Sequence, residues 1–298
     1  MDIKNYFGDF VAFKRKSEIV AKSALSSNFW ADKAMILNEC NSQMGIYEDG
    51  KIYGTFCRER ICPMCQRRLS LKTYAQLQNV VNKLNVNNFL LLTLTVKNCA
   101  GAELRQTISS MNKAFSKLWR ELLATSCLGC FRALEVTYNS DRNDYHPHFH
   151  VILSVEDDYF FTSNYLHVEN LITAWRTSWN HSGEGWADIR PIKDIESGVA
   201  EVAKYAVKPF DIKDEELTLE MLDTLYTALK GRRLTQTYGD IKEALKTAKT
   251  DYKATIKRSP RDCTDWVHWN GNNYVSRETP LRPSRGTQSQ SDKGGRTT

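Results

Sequence analysis

His148 and His150 stand two residues apart in Tyr145-His146-Pro147-His148-Phe149-His150-Val151-Ile152-Leu153, whose last residues are the branched, apolar type of a buried strand. Side chains at spacing two leave a strand on the same face, so both imidazoles can grip one ion. Two ligands are too few for a stable site, and a third donor is expected from a neighbouring strand. Glu135 is the candidate, in Phe131-Arg132-Ala133-Leu134-Glu135-Val136-Thr137, and the polar residues 139–144 read as the hairpin turn that brings carboxylate and imidazoles together. Two histidines and a carboxylate with open positions suit a hard cation, Mn2+ or Mg2+, that also binds a phosphate oxygen. Surface histidines beside a turn are the alternative, and a lone His-x-His does not exclude it.

A second chemical stretch is Ser-Gly-Val-Ala-Glu-Val-Ala-Lys-Tyr-Ala-Val-Lys at 197–208, a helix stopped by Pro209. Glu201, Tyr205 and Lys208 fall at i, i+4 and i+7 on one stripe, while Val199, Val202 and Ala203 supply packing surface. A phenol with a pKa of about 10 is a poor nucleophile at neutral pH unless a cation or metal stabilises its anion. Lys208 is placed to do so. The alternative is an exposed ion pair flanking a packed tyrosine.

The third is Cys57-Arg58-Glu59-Arg60-Ile61-Cys62-Pro63-Met64-Cys65, with Cys40 upstream. The Cys62-x-x-Cys65 pair has the spacing of a zinc knuckle, and four thiolates make a closed structural Zn2+ site. Unmetallated buried thiols remain the alternative. A thioredoxin-like redox pair lacks the expected strand before it and helix pattern around it. Arg58, Arg60, Arg67, Arg68 and Lys72 surround the loop with the positive charge a phosphate-contacting module needs. Cys127 and Cys130 have no further ligand pair and read as ordinary thiols.

The chain has 298 residues, a formal net charge of +6 and eight cysteines. That length buries a sizeable core, and the mild basicity suits an anionic partner. Cysteine usage without a signal peptide favours a reducing compartment, and no apolar run spans a bilayer, so a soluble intracellular protein is expected.

These residues need a scaffold. Residues 69–84 and 101–123 carry apolar stripes at helical spacing, as do 157–181 and 211–250. Residues 89–96 form an apolar central strand with Thr93 and Thr95 on one face, and 187–192 a short one. Strand, helix, strand, strand, helix, strand describes an α+β, ferredoxin-like or RRM-like antiparallel sheet with helices on one face and the other free for substrate. A Cys-rich N-terminal element (1–85), the sheet domain (86–210), C-terminal helices (211–258) and an aromatic segment with a disordered tail (259–298) complete the expected layout.

Thr-Leu-Thr at 93–95, His-Pro-His-Phe-His at 146–150 and Lys-Tyr-Ala-Val-Lys at 204–208 occur in the order of the three motifs of rolling-circle plasmid replication initiators, which are HUH endonucleases. The Cys-Pro-x-Cys element and Gly231-Arg232-Arg233-Leu234 with Gly239 also resemble one plasmid Rep group, so the resemblance runs from about Cys40 to Gly239. It implies that His148, His150 and Glu135 hold the divalent metal on the scissile phosphate of a single-stranded or cruciform origin. Tyr205 would attack to leave a 5′-phosphotyrosine and a 3′-OH primer, and Glu201, four residues before it, would activate water at termination. His146 either orients a neighbour or contacts DNA. Host helicase and polymerase, and a homo-oligomer on DNA, are the implied partners, with no membrane. A relaxase or transposase of the superfamily, or a non-enzymatic zinc-dependent DNA-binding regulator, is the competing reading.

Overall fold

The computed structural model describes residues 3–84, 86–180, 184–205, 218–255 and 258–276, excluding the side chains of 3–9, 204–205 and 248–255. Helices α1 (Ile3–Ala24) and α2 (Ala34–Asn38) precede the hairpin of β1 (Gln43–Tyr47) and β2 (Ile52–Gly54), and α3 (Pro63–Lys83) follows the cysteine loop. Next come β3 (Asn88–Thr95) and α4 (Gly101–Leu118), which runs through a π turn (Trp119–Leu123) into α5 (Ala124–Ser126). The hairpin of β4 (Gly129–Asn139) and β5 (Asp144–Val155) leads to α6 (Val168–Trp179), β6 (Trp186–Pro191) and α7 (Ile195–Tyr205). Then follow α8 (Leu219–Leu229), β7 (Thr235–Tyr238), α9 (Gly239–Thr255), β8 (Cys263–Trp269) and β9 (Tyr274–Ser276).

The main sheet runs β6-β3-β5-β4-β7 and is antiparallel throughout. Its first four strands have the ferredoxin-like order expected from the sequence. Alternation divides the strand residues between two faces. Leu92 and Leu94, Leu134 and Val136, and Phe149 and Val151 join Ile108 and Phe115 of α4 and Trp175 of α6 in the larger core.

The second face is not left bare, which corrects the expectation that it is free for substrate. Phe89 and Leu91, Phe131 and Ile152 lie beneath Val80 of α3, Val199, Val202 and Ala203 of α7, and Ile241 of α9. Exposing each of those four strand residues would cost about 1.5–3 kcal/mol, so helices cover the apolar half of this face. The polar half, where the histidines sit, stays clear of that apolar cluster.

Other expectations shift at their edges. α3 begins at Pro63 rather than 69, because proline fits the first turn, where its missing N–H has no helical partner. α6 starts at Val168, after a short 3-10 turn at Tyr159–Phe161, and not at 157. The stretch 211–250 is not continuously helical. Thr235-Gln236-Thr237-Tyr238, β-branched and aromatic, adds β7 to the edge of β4. At its end Gly239 has φ +58, and a Cβ there would lie 1.9 Å from the Leu128 carbonyl oxygen. Only glycine fits.

The two ends of the chain share a second sheet, β2-β1-β8-β9, so the aromatic segment is docked by strand pairing against β1. The tail expected to be disordered, from 282 onward, lies outside the described residues.

Candidate functional site

Register assembles the first site. In the β4–β5 hairpin Glu135 pairs with His148 and Ala133 with His150, while on the other side of β5 Thr95 faces His148 and Thr93 faces His150. Directly paired residues share a face, so the carboxylate, both imidazoles and both threonines form one patch. Glu135 Oε2 lies 2.6 Å from His148 Nε2 and 3.0 Å from His150 Nε2. All three residues are buried at 8% exposure, so water competes little for these polar atoms.

Burial works to raise the Glu135 carboxyl, but hydrogen bonds with His148 and then His150 outweigh it and hold it at about 2. The ring of His148 is oriented from behind. Its Nδ1 lies 3.1 Å from the His146 carbonyl oxygen, the contact that fixes ring orientation in metal-ligating histidines. Ligands about 2.1 Å from one ion at right angles stand roughly 3.0 Å apart, close to the spacing seen, so the donors fit a small divalent cation. His146, half-buried on the same face with its ring 5.2 Å from that of His148, stays outside this triad.

Helix α7 lies over the same face. A Cβ on Gly198 would come within 2.5 Å of Ile192 Cγ2, so glycine lets the helix seat closely beyond the end of β6. Glu201 meets Arg190, two residues before Ile192, with Arg190 Nη2 3.4 Å from the Glu201 Oε1. Most of the helix packs on β4 and β5, on the face that also carries Asp188 and Trp186 in the rows of His150 and His148. Tyr205 is its last residue. The Tyr205 side chain and the whole of Lys208 lie outside the described residues.

The cysteine expectation is met in geometry. Cys40, Cys57, Cys62 and Cys65 bring their sulfurs within 4.8 Å of one another. Cys65 Sγ lies 3.6 Å from that of Cys40 and 3.5 Å from that of Cys57. Disulfide sulfurs would be about 2.05 Å apart, and tetrahedral zinc with bonds of about 2.3 Å spaces its sulfurs roughly 3.8 Å apart. The Arg58 N–H donates to Cys65 Sγ at 3.1 Å. Cys62 caps the N-terminus of α3, and hydrogen bonding with Cys40, Cys57 and Cys65 pushes its thiol down. A helix does start within the Cys-x-x-Cys pair, contrary to the sequence reading, yet the strand before it, β2, ends at Gly54, ahead of the loop that carries Cys57, and two more thiols converge on the pair.

Some residues were not found from sequence. Lys14, fully buried, donates to the carbonyls of Asn38 and Cys40 and to Ser42 Oγ, fastening the loop that presents Cys40. Its signal was hidden in the run Lys14-Arg15-Lys16, which reads as a solvated face. Arg190, Asp188 and Trp186 become neighbours of the site only through the register of β6.

A family profile described as "Replication protein" matches residues 51–274. The chain is 32% identical over 273 residues to a protein rep of Bacillus amyloliquefaciens, an alignment covering 79% of this chain and 80% of that one. A protein rep of a Bacillus species is 33% identical over 254 residues, 74% of this chain and 82% of the relative. One from Streptococcus pneumoniae serotype 2 is 34% identical over 195 residues, 60% and 61% of the two chains. No solved structure matches. No helix among the described residues is long and apolar enough to cross a membrane. With a profile match across most of its length and relatives aligned over about three quarters or more of both chains, this chain belongs to the replication protein (Rep) family.

Proposed function

We propose that the protein initiates rolling-circle replication of a plasmid by nicking one strand of the origin and joining itself to the 5′ end. The observation that carries this reading is the convergence of His148, His150 and Glu135 on one point, on the sheet face against which the Tyr205 helix packs.

A divalent ion such as Mn2+ or Mg2+, held by His148, His150 and Glu135, would withdraw charge from the scissile phosphate. Tyr205 Oη forms a bond to phosphorus while the bond from phosphorus to O3′ breaks. The departing oxygen takes up a proton and becomes the 3′-OH that primes synthesis, for which host helicase and polymerase are the partners. Lys208, three residues along the chain from Tyr205, is assigned the stabilisation of the phenolate. Glu201, one turn before Tyr205, accepts a proton from water in the terminating hydrolysis. Its ion pair with Arg190 supports that role by holding the carboxylate on the β6 side of α7. The four cysteines take a structural Zn2+, whose closed shell leaves no open position for chemistry.

Incubating the protein with a labelled single-stranded origin oligonucleotide and Mn2+, followed by a denaturing gel, tests this reading. Wild type should form a covalent adduct and Tyr205→Phe none. Glu201→Gln should form the adduct yet fail to release it by water. Tight binding by wild type without any cleavage would instead favour a DNA-binding regulator.

A further inference from the structure

Gly231-Arg232-Arg233 plays no part in the chemistry above, yet these residues wall a cavity of about 530 Å3 together with Lys113 of α4 and Arg120 of the π turn. Four cationic side chains line it and no carboxylate does. None of the four forms a salt bridge with another described residue. Like charges gathered this way repel unless an anion lies among them.

A second observation lies behind the wall. Arg132 is fully buried, and its Nε and Nη1 have no hydrogen-bond partner among the described residues. Its Nη2 donates to Oε1 of Gln236, which lines the cavity, at 3.3 Å. Burial pushes Arg132 down to about 10, which still leaves it charged at neutral pH. Asn112 Oδ1 and Arg232 Nε, both of wall residues, are also buried without a partner. Buried polar atoms are rarely left so unless a ligand or water completes them.

A second cavity, of about 290 Å3, shares Gly231 as a wall, and Arg58, Arg60 and Lys230 line it beside the Lys33–Glu59 ion pair. Arg58 is held at φ +65 with its N–H on Cys65, so the thiol cluster fixes the position of this cation. No aromatic ring lines the larger cavity, so it offers no base a stacking surface. What it can grip is phosphate.

We infer that this basic groove binds the phosphate backbone of DNA, on the face of the sheet opposite the histidines. Arg132 and Glu135 are an odd number of residues apart on β4 and so leave opposite faces. DNA bound in the groove lies behind the β4–β7 edge, and its contacts are independent of sequence. The choice of DNA as the polyanion rests on the nicking reading above.

The test uses the full-length Arg120→Gln/Arg233→Gln variant, whose two altered side chains are exposed in the wild type and bury no core. Binding of a labelled origin duplex is followed by anisotropy from roughly 50 to 200 mM salt, beside adduct formation on a short oligonucleotide that spans only the cleavage site. We expect at least about a tenfold loss of duplex affinity and a fall of about 2 in the slope of log affinity against log salt, with short-oligonucleotide adduct formation within about twofold of wild type. Unchanged affinity and slope would overturn the inference. So would pyrophosphate binding that the substitutions abolish without altering the duplex slope, since the cavity would then be a small-anion site. If wild type forms no adduct but the slope still falls as expected, the nicking reading fails and the groove stands.

Discussion

The carboxylate and imidazole cluster takes its three donors from one hairpin, whereas the thiol cluster takes four from separate places: the end of α2, a loop, and the start of α3. The first sits on strands and has three donors, which leaves coordination positions for a substrate. The second has a full set of four and is tied to the body of the protein by Lys14 and by Ser17 Oγ, 3.6 Å from Cys62 Sγ. Donor number and placement therefore separate a centre suited to chemistry from one suited to holding a fold. On this view a change at the first should damage activity and spare stability, and a change at the second should do the reverse.

The largest effect is expected from His148→Ala, which should lower the rate of adduct formation by about 10²–10³-fold or more. Loss of its hydrogen bond to Glu135 should cost only about 1–3 kcal/mol in denaturant unfolding. A variant that unfolds outright would erase the contrast between the clusters. Cys62→Ser is the converse experiment. It should remove about 3 kcal/mol of stability and lower Tm by about 6–12 °C, and a zinc chelator should do the same to wild type. Cleavage per folded molecule, after Mn2+ is restored, should hold within about threefold, since no described thiol joins the histidine cluster.

Gly198→Ala tests the seating of α7 against Ile192 without touching either cluster. The added Cβ meets Ile192, so about 1–3 kcal/mol of stability should be lost, and displacement of the helix should slow cleavage about tenfold or more. Adding Ile192→Ala should restore part of the rate by making room. The smallest effect is expected from Arg190→Ala. Its pair with Glu201 is solvent-exposed and contributes at most about 1 kcal/mol, so urea unfolding should barely move. Adduct formation should match wild type, and a change confined to hydrolytic release would sharpen the assignment of Glu201.

Much of this layout was legible in the sequence. The β4–β5 hairpin, the shared face of His148 and His150 and the choice of Glu135 all follow from period-two alternation across a short turn, where sequence neighbours are also spatial neighbours. The apolar stripe of α7 was legible for the same reason. β7 was missed because its four residues interrupt a longer helical pattern, and its stability comes from pairing with β4, about a hundred residues away in the chain. Arg132 looked like one polar position in a strand, and nothing local marked it as the charged floor beside a basic cavity. The pairing of β1 with β8 was equally hidden, since it joins residues near 45 to residues near 265.

By itself the sequence determined the local periods: which residues share a strand face, which form a helix stripe, and which thiols and imidazoles stand at ligand spacing. Those follow from backbone geometry within a few residues. Tertiary structure decided the register that sets Thr93 and Thr95 beside the histidines, the helices that cover half of the second face, and the gathering of Cys40 with the other three thiols. Such pairings depend on burial summed over distant segments, where no single residue's preference is decisive.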